Sequence, residues 1–173
     1  MLISEAYRNE QRYLHEVADP YLAYGDNSYN WGYLLVGIAK LENCRSILDY
    51  GCGKASFSTT MAFAGYQVQN YDPGVPAYSR TPQPADLVTS FDCLEHIESE
   101  CLNDVLAHIR QLCKRRLFVS VSTRPAKRNL RDGRNAHLLI FPPTWWRKHF
   151  EAEGFVMRRE WPSNESWIAL MNA

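Results

Sequence analysis

Four short apolar runs, "RSILDY", "YQVQNYD", "ADLVTSFD" and "RRLFVSVST", are separated by stretches that read as helices or turns, and this alternation leaves few folds open. Strands that are apolar at nearly every position need both faces covered, and strands joined through helices run parallel. "SFSTTMAFAG" reads as a helix closed by Gly65. "IESECLNDVLAHIRQLC" reads as another, with Leu102, Val105, Leu106, Ile109 and Leu112 in one stripe. Towards the end, "TWWRKHFEAEG" is helical, and "FVMRREW" and "SWIALMN" form a β-hairpin around Pro162, Ser163 and Asn164. Ahead of the first strand, Ile3, Ala6, Tyr7, Leu14 and Val17 mark an amphipathic helix over residues 3–18. A break at Pro20, Gly25 and Asp26 follows, then a second helix from Trp31 to Leu41. The expectation is one three-layer α/β domain over residues 1–173. Its sheet is mostly parallel with an antiparallel C-terminal hairpin, and residues 1–44 form a helical cap on a core of residues 45–173.

Composition narrows the setting. At 173 residues, 46% of them hydrophobic, the chain can bury a core without disulfides or metals. No window approaches the roughly 18 apolar residues of a membrane span. The N-terminus carries early acidic residues and does not read as a secretory leader. Five cysteines without a Cys-x-x-Cys pair point to free thiols in a reducing cytoplasm, and no metal site is expected from them. The net charge is zero but unevenly spread: residues 1–113 carry 14 Asp/Glu against 7 Lys/Arg, and residues 114–173 carry 5 against 12. Between Lys114 and Arg134, eight basic residues accompany only Asp132. That run is either a solvated loop or a surface that attracts an anionic substrate or partner, and composition leaves both open.

The first strand runs into "DYGCGKAS". Gly51 and Gly53 lack a Cβ, so the chain can turn tightly and present its backbone to a ligand. In an open α/β sheet such a turn lies at the carboxyl ends of the strands, where ligands bind. The spacing is not that of a phosphate loop, which places Gly-Lys-Ser/Thr after four intervening residues. Nor is it G-x-G-x-x-G, because the third position is Ser56. An acid two residues before the first glycine, Asp49, suits a cationic ligand better than a pyrophosphate. A second acid, Asp72, closes the next strand and can accept two hydrogen bonds from a ribose diol.

With "ILDYGCGKA", "NYD" and "ADLVTSFDCLEHI", the chain resembles the class I S-adenosylmethionine (SAM) dependent methyltransferases over roughly Arg45 to Arg124. The resemblance implies the SAM-binding Rossmann-like sheet. It places Asp49, Gly51, Cys52 and Gly53 at the methionine part of SAM and Asp72 at its ribose. Asp92 and Cys93 fall where the family lines the cofactor near its transferable methyl. Ala55 stands where the third glycine usually lies. Only 13 residues separate Asp72 from Asp86, so the third-strand region is shortened and no adenine contact is assigned.

Methyl transfer asks the protein for alignment, exclusion of water and, where needed, a proton acceptor. His96, beside Glu95 in "CLEHI", is one candidate, although Leu-Glu-His also serves to start helices in this superfamily. "RDGRNAHL" supplies the other cluster and resembles segments of compact phage and bacterial methyltransferases. There Arg134 suits an acceptor's carboxylate or phosphate, Asn135 a hydroxyl or amide, and His137 a proton. Glu95, Arg134 and Asn135 are thus the candidate substrate-binding residues, and His137 and His96 the candidate catalytic ones. Trp145 and Trp146 read as core, His108 as structural, and His15, Tyr24 and Tyr29 as part of a water-excluding lid. The expected activity is methyl transfer from SAM to O or N of a small polar, anionic acceptor. A nucleic-acid acceptor bound through residues 114–134 and a SAM-binding regulator without turnover are the alternatives.

Overall fold

The computed structural model describes residues 1–18 and 31–173; the expected break at Pro20, Gly25 and Asp26 and the lid residues Tyr24 and Tyr29 lie outside these. Six strands form one sheet in the order β2-β1-β3-β4-β6-β5. Strands β1 (Ile47–Tyr50), β2 (Val68–Tyr71), β3 (Ala85–Phe91) and β4 (Cys113–Ser122) run parallel. Strand β6 (Ser166–Asn172) is antiparallel to both β4 and β5 (Val156–Trp161). The mostly parallel sheet with an antiparallel C-terminal hairpin is therefore present as expected. Between β2 and β3 the chain makes only a 3-10 turn, Pro76–Tyr78, and β3 pairs directly with β1 on the side away from β2. Strand order reverses there, between β1 and β3.

The strand register divides the core into two layers, because neighbouring side chains point to opposite faces. Leu48, Val88, Leu117, Val119, Ala169 and Met171 pack with helices α4 (Leu102–Leu112) and α5 (Pro143–Ala152). Their neighbours Ile47, Leu87, Phe118, Ile168 and Leu170 pack with α2 (Gly32–Leu41) and α3 (Ser56–Phe63). Gly32 lets α2 and α3 meet, since a Cβ there would sit 2.0 Å from Thr60 Cγ2. Trp146 is fully buried under α5, in keeping with a core role, and Tyr50 Oη pairs with His108 Nδ1 at 3.0 Å.

A third cluster sits outside the sheet. Helix α1 (Glu5–Glu16) packs Tyr7 and Leu14 against Leu130 and Ala136 of the β4–α5 connection. Ser4 caps α1 by accepting the Tyr7 N–H, and its own N–H and Oγ donate to the two oxygens of Glu98 at 2.8 and 2.7 Å. At the other side, Glu10 accepts from Arg131 N and Nε, and the Arg131 guanidinium lies 4.1 Å from the Tyr13 ring. The helix expected from Ile97 onwards begins only at Leu102, after a 3-10 turn at Ser99–Cys101; Glu98 and its neighbours are drawn instead into this clasp on α1. All five cysteines are free, and no helix among the described residues is long and apolar enough to cross a membrane.

The basic run does not form one surface. Lys114, Arg115 and Arg116 lie at the start of β4, whereas Arg124 to Arg134 follow its end, roughly 25 Å away at about 3.3 Å per residue. Arg116 is tied down there by Glu42, with Nε 3.0 Å from its Oε2. Only the second half reaches the rim where the glycine turn lies.

Candidate active site

The β1–α3 turn is shaped by three left-handed residues, Gly51 (φ 76°), Gly53 (φ 51°) and Ala55 (φ 58°). Gly51 and Cys52 donate their N–H groups to Tyr71 O at 2.7 and 3.1 Å, which docks the turn on the end of β2. Gly53 donates to Asp72 Oδ2 at 3.0 Å, and Gly74 to Asp72 Oδ1 at 2.8 Å. Glycine at 51 serves packing as much as backbone freedom: a Cβ there would lie 2.1 Å from Cys93 Sγ.

Asp49 is placed differently from the expectation that it lines a pocket. Its carboxyl is fully buried behind the turn; Thr89 Oγ1 donates to Oδ1 at 3.0 Å and Oδ2 has no hydrogen-bond partner. Burial pushes its pKa up to about 7, partly offset by the Thr89 hydroxyl, with nearby Asp72 adding to the rise.

Strand β3 supplies the facing wall. Asp92 (φ 45°) donates its N–H to Ser120 O and accepts from Ser120 Oγ, both at 2.8 Å, so the chain leaves β3 in a fixed direction. Cys93 then rests on the glycine turn, and a 3-10 turn, Leu94–His96, carries Glu95 and His96 inward. Glu95 is fully buried. Ser122 N–H donates to its Oε1 at 2.8 Å, whereas Oε2 has no partner. Burial, and then the charge of Asp92, hold its carboxyl well above the usual range. His96 Nδ1 donates to Ala136 O at 2.7 Å; burial and the adjacent His137 lower its pKa to about 3, so the ring is neutral across working pH.

The β4–α5 connection completes the wall. Its hairpin-like tip is closed by the Asn129–Asn135 bridge. The Asn135 side chain is spent on the loop itself: Oδ1 accepts from Ala126 N and His137 N, and Nδ2 donates to Ala126 O. Arg134 turns away to an exposed pair with Asp132, Nε to Oδ2 at 2.8 Å. Neither of these expected substrate contacts lines the cavity. His137 does line it, with Nδ1 donating to Arg124 O at 2.6 Å and its ring edge-on to His96 at 4.8 Å between centroids.

These parts enclose one cavity of about 780 Å³, within the usual size range of ligand sites. Gly51, Cys52, Gly53 and Asp72 line one side, and Asp92, Cys93, Glu95, His96 and His137 the other. Tyr7, Gln11 and His15 of α1 cover it, and Arg124, Lys127 and Arg128 flank it. Of these, sequence reasoning named only His15 from the cover. The available signal was Gln11, a polar residue one turn from Tyr7 on the buried stripe of α1.

A mostly parallel sheet with a cavity at the switch point, one acid after β2 and a glycine turn after β1, is the arrangement in which open α/β domains bind their ligands. The chain belongs to the methyltransferase-domain family, which matches residues 14–160, and it is a methyltransferase. No curated protein matches it in sequence. Among solved structures it is similar to magnesium protoporphyrin IX methyltransferase from Synechocystis PCC 6803 with bound S-adenosylhomocysteine, at 18% identity and TM-score 0.65 over 96% of this chain and 93% of that one. It is similar to 1,6-didemethyltoxoflavin-N1-methyltransferase from Burkholderia thailandensis, at 14% identity and TM-score 0.70 over 96% and 88%. The methyltransferase domain of bacterial CtHen1 matches at 16% identity and TM-score 0.61 over 83% and 99%.

Proposed function

We propose that this methyltransferase uses SAM as donor and transfers its methyl group to O or N of a small polar, anionic acceptor. One observation carries the reading: the glycine turn, Asp72 and the His96–His137 pair share a single cavity roofed by α1. The residues present fit the donor. Each Asp72 oxygen accepts one backbone N–H, and a carboxylate offers about four acceptor positions in all, so capacity remains for a ribose diol. Gly53 and the Cys52 backbone border the cavity beside it. When bound, SAM supplies a methyl group on a sulfonium already activated for displacement.

The remaining work falls to the chain's own residues. Cys93 and Asp92 fix the wall facing the turn, and His96 and His137 handle the acceptor's proton, with Nδ1 of each ring held by a carbonyl. Lys127 and Arg128 give the flank a positive character that suits an anionic group, while Arg124 beside them is paired with Glu165. Helix α1, clasped through Glu98 and Arg131, excludes water and limits the acceptor to what fits beneath it. A polynucleotide acceptor has less support, because the basic run is divided between opposite ends of β4.

Calorimetry with SAM and with S-adenosylhomocysteine tests the donor, and label transfer from methyl-labelled SAM into small anionic hydroxy or amino compounds tests the acceptor. Affinity for neither nucleoside would overturn the reading. Binding with label entering RNA, or entering nothing, would replace the acceptor by a nucleic acid or the enzyme by a regulator.

A further inference from the structure

The acceptor side of the cavity holds an arrangement that its sequence motifs did not suggest. Glu95, His96 and His137 each direct one ligating atom into a space where all three lie within 4.8 Å of one another. Nδ1 of both histidines is committed to a main-chain carbonyl, Ala136 O for one and Arg124 O for the other. That fixes the tautomer and leaves Nε2 as the coordinating nitrogen of each ring, the way outer hydrogen bonds orient metal-binding imidazoles. Glu95 is oriented by the Ser122 N–H on Oε1, while Oε2 is buried without any partner. A fully buried carboxyl oxygen left unsatisfied needs a physical reason, and a cation supplies one.

We propose that Glu95, His96 and His137 bind a divalent first-row transition-metal ion whose open positions face the cavity and take an oxygen of the methyl acceptor. Two imidazoles and one carboxylate form a donor set for ions such as Mn²⁺, Co²⁺ or Zn²⁺ rather than for Mg²⁺. Three protein ligands on one side leave coordination positions open on the other. The catalytic part rests on the reading of the protein as a SAM-dependent methyltransferase; the binding part does not. Coordination makes an acceptor hydroxyl more acidic, so that its proton leaves to water. The oxygen lone pair then forms the new C–O bond as the C–S bond breaks, and neutral S-adenosylhomocysteine departs. The two histidines thereby act on the acceptor's proton as ligands of the ion rather than as bases.

The test uses the full chain after dialysis against a chelator, titrated separately with Mn²⁺, Co²⁺, Zn²⁺ and Mg²⁺, with SAM affinity measured in parallel. The expected result is saturable binding of one transition ion per chain, weak or absent binding of Mg²⁺, and a visible Co²⁺ spectrum of mixed N/O coordination. His137→Ala, whose ring lies on the loop outside the sheet, should weaken ion binding by at least about tenfold and leave SAM affinity within about twofold. Glu95→Gln should weaken the ion in the same way, and a thermal melt separates that loss from unfolding. No saturable binding by the folded wild-type chain, or binding unchanged in His137→Ala, overturns the proposal. Ion binding with no SAM affinity would leave the site standing and sink the methyltransferase reading of it.

Discussion

Asp72 Oδ2 accepts the backbone N–H of Gly53 at 3.0 Å, so the acid after β2 and the glycine turn after β1 are one mechanical unit. Its other oxygen accepts from Gly74, which fixes the carboxylate plane against the cavity. Loss of Asp72 therefore unties the turn and, on the proposed reading of the site, removes a donor contact with it.

Asp72→Ala should weaken SAM binding by about 1.5–3 kcal/mol, the usual scale for hydrogen bonds to a charged group, and lower thermal stability as well. Asp72→Asn keeps one acceptor oxygen and should lose less of both. Calorimetry paired with thermal melts checks this. An Asp72→Ala protein with unaltered SAM affinity would remove Asp72 from the donor site.

Gly51→Ala should destabilise on two grounds. A Cβ would meet Cys93 Sγ at 2.1 Å, and φ 76° is unfavourable for any side chain. Strain of about 1–2 kcal/mol from the left-handed backbone adds to about 1–3 kcal/mol from overpacking. Combining it with Cys93→Ala removes the sulfur and should recover part of the loss but not the backbone strain. Urea midpoints of the two single variants and the double give the coupling directly. Additivity without recovery would mean that the turn shifts instead of clashing.

Much of this was legible in the sequence because short-range rules governed it. The alternation of apolar runs and helices, Gly65 at the end of α3 and the closing hairpin all follow from local pattern, and they hold in the fold. The shortened connection between β2 and β3 was legible from the 13 residues between Asp72 and Asp86. The split of the basic run was not, since Lys114 and Arg134 are close in sequence and only the ten-residue β4 separates them in space. Arg134 and Asn135 looked like recognition residues by type, but Asp132 and the loop's own amides compete for them locally. Asp49 was expected at the methionine part of the donor, yet its side chain is fully buried, with Thr89 Oγ1 donating to it. The assembly of Glu95 with His96 and His137 depends on a contact across 40 residues, which no local pattern encodes.

Ala55→Gly should stabilise the protein. Ala55 sits at φ 58° at the N-terminus of α3, a conformation that costs an L-residue roughly 1–2 kcal/mol and glycine very little. Part of that gain is returned through the greater freedom of glycine in the unfolded chain, leaving about 0.5–1 kcal/mol. The melting temperature should rise by about 1–4 °C with SAM binding unchanged. A fall would mean that the methyl group of Ala55, buried at 7% exposure, contributes more by packing than it costs in strain.

Glu98→Ala should loosen the roof of the cavity. It removes both hydrogen bonds that hold Ser4 while leaving the glycine turn untouched. Backbone amides of α1 should exchange faster, and bound nucleoside should dissociate faster, by about tenfold if one charged-group hydrogen bond's worth of about 1.5 kcal/mol is lost. Unchanged exchange in α1 would show that Arg131 and the Tyr7–Leu14 packing hold the helix unaided.

The buried Asp49 sets a pH dependence whose sign is fixed by its surroundings. Its ordinary value is near 3.8 and burial raises it to about 7 in the folded chain. Between those values the unfolded chain has released this proton and the folded chain still holds it. Stability from this group is therefore full below about pH 4 and declines as pH rises towards about 7, by on the order of 4 kcal/mol at most. Asp49→Asn carries no such proton. Its stability relative to the wild type should grow from pH 4 to pH 7 and then level off, because groups remote from Asp49 titrate alike in both proteins. Denaturant curves at half-unit pH steps measure that difference. A difference that stays flat across the range would mean that Asp49 is ionised in the folded state, with a cationic partner reaching its second oxygen.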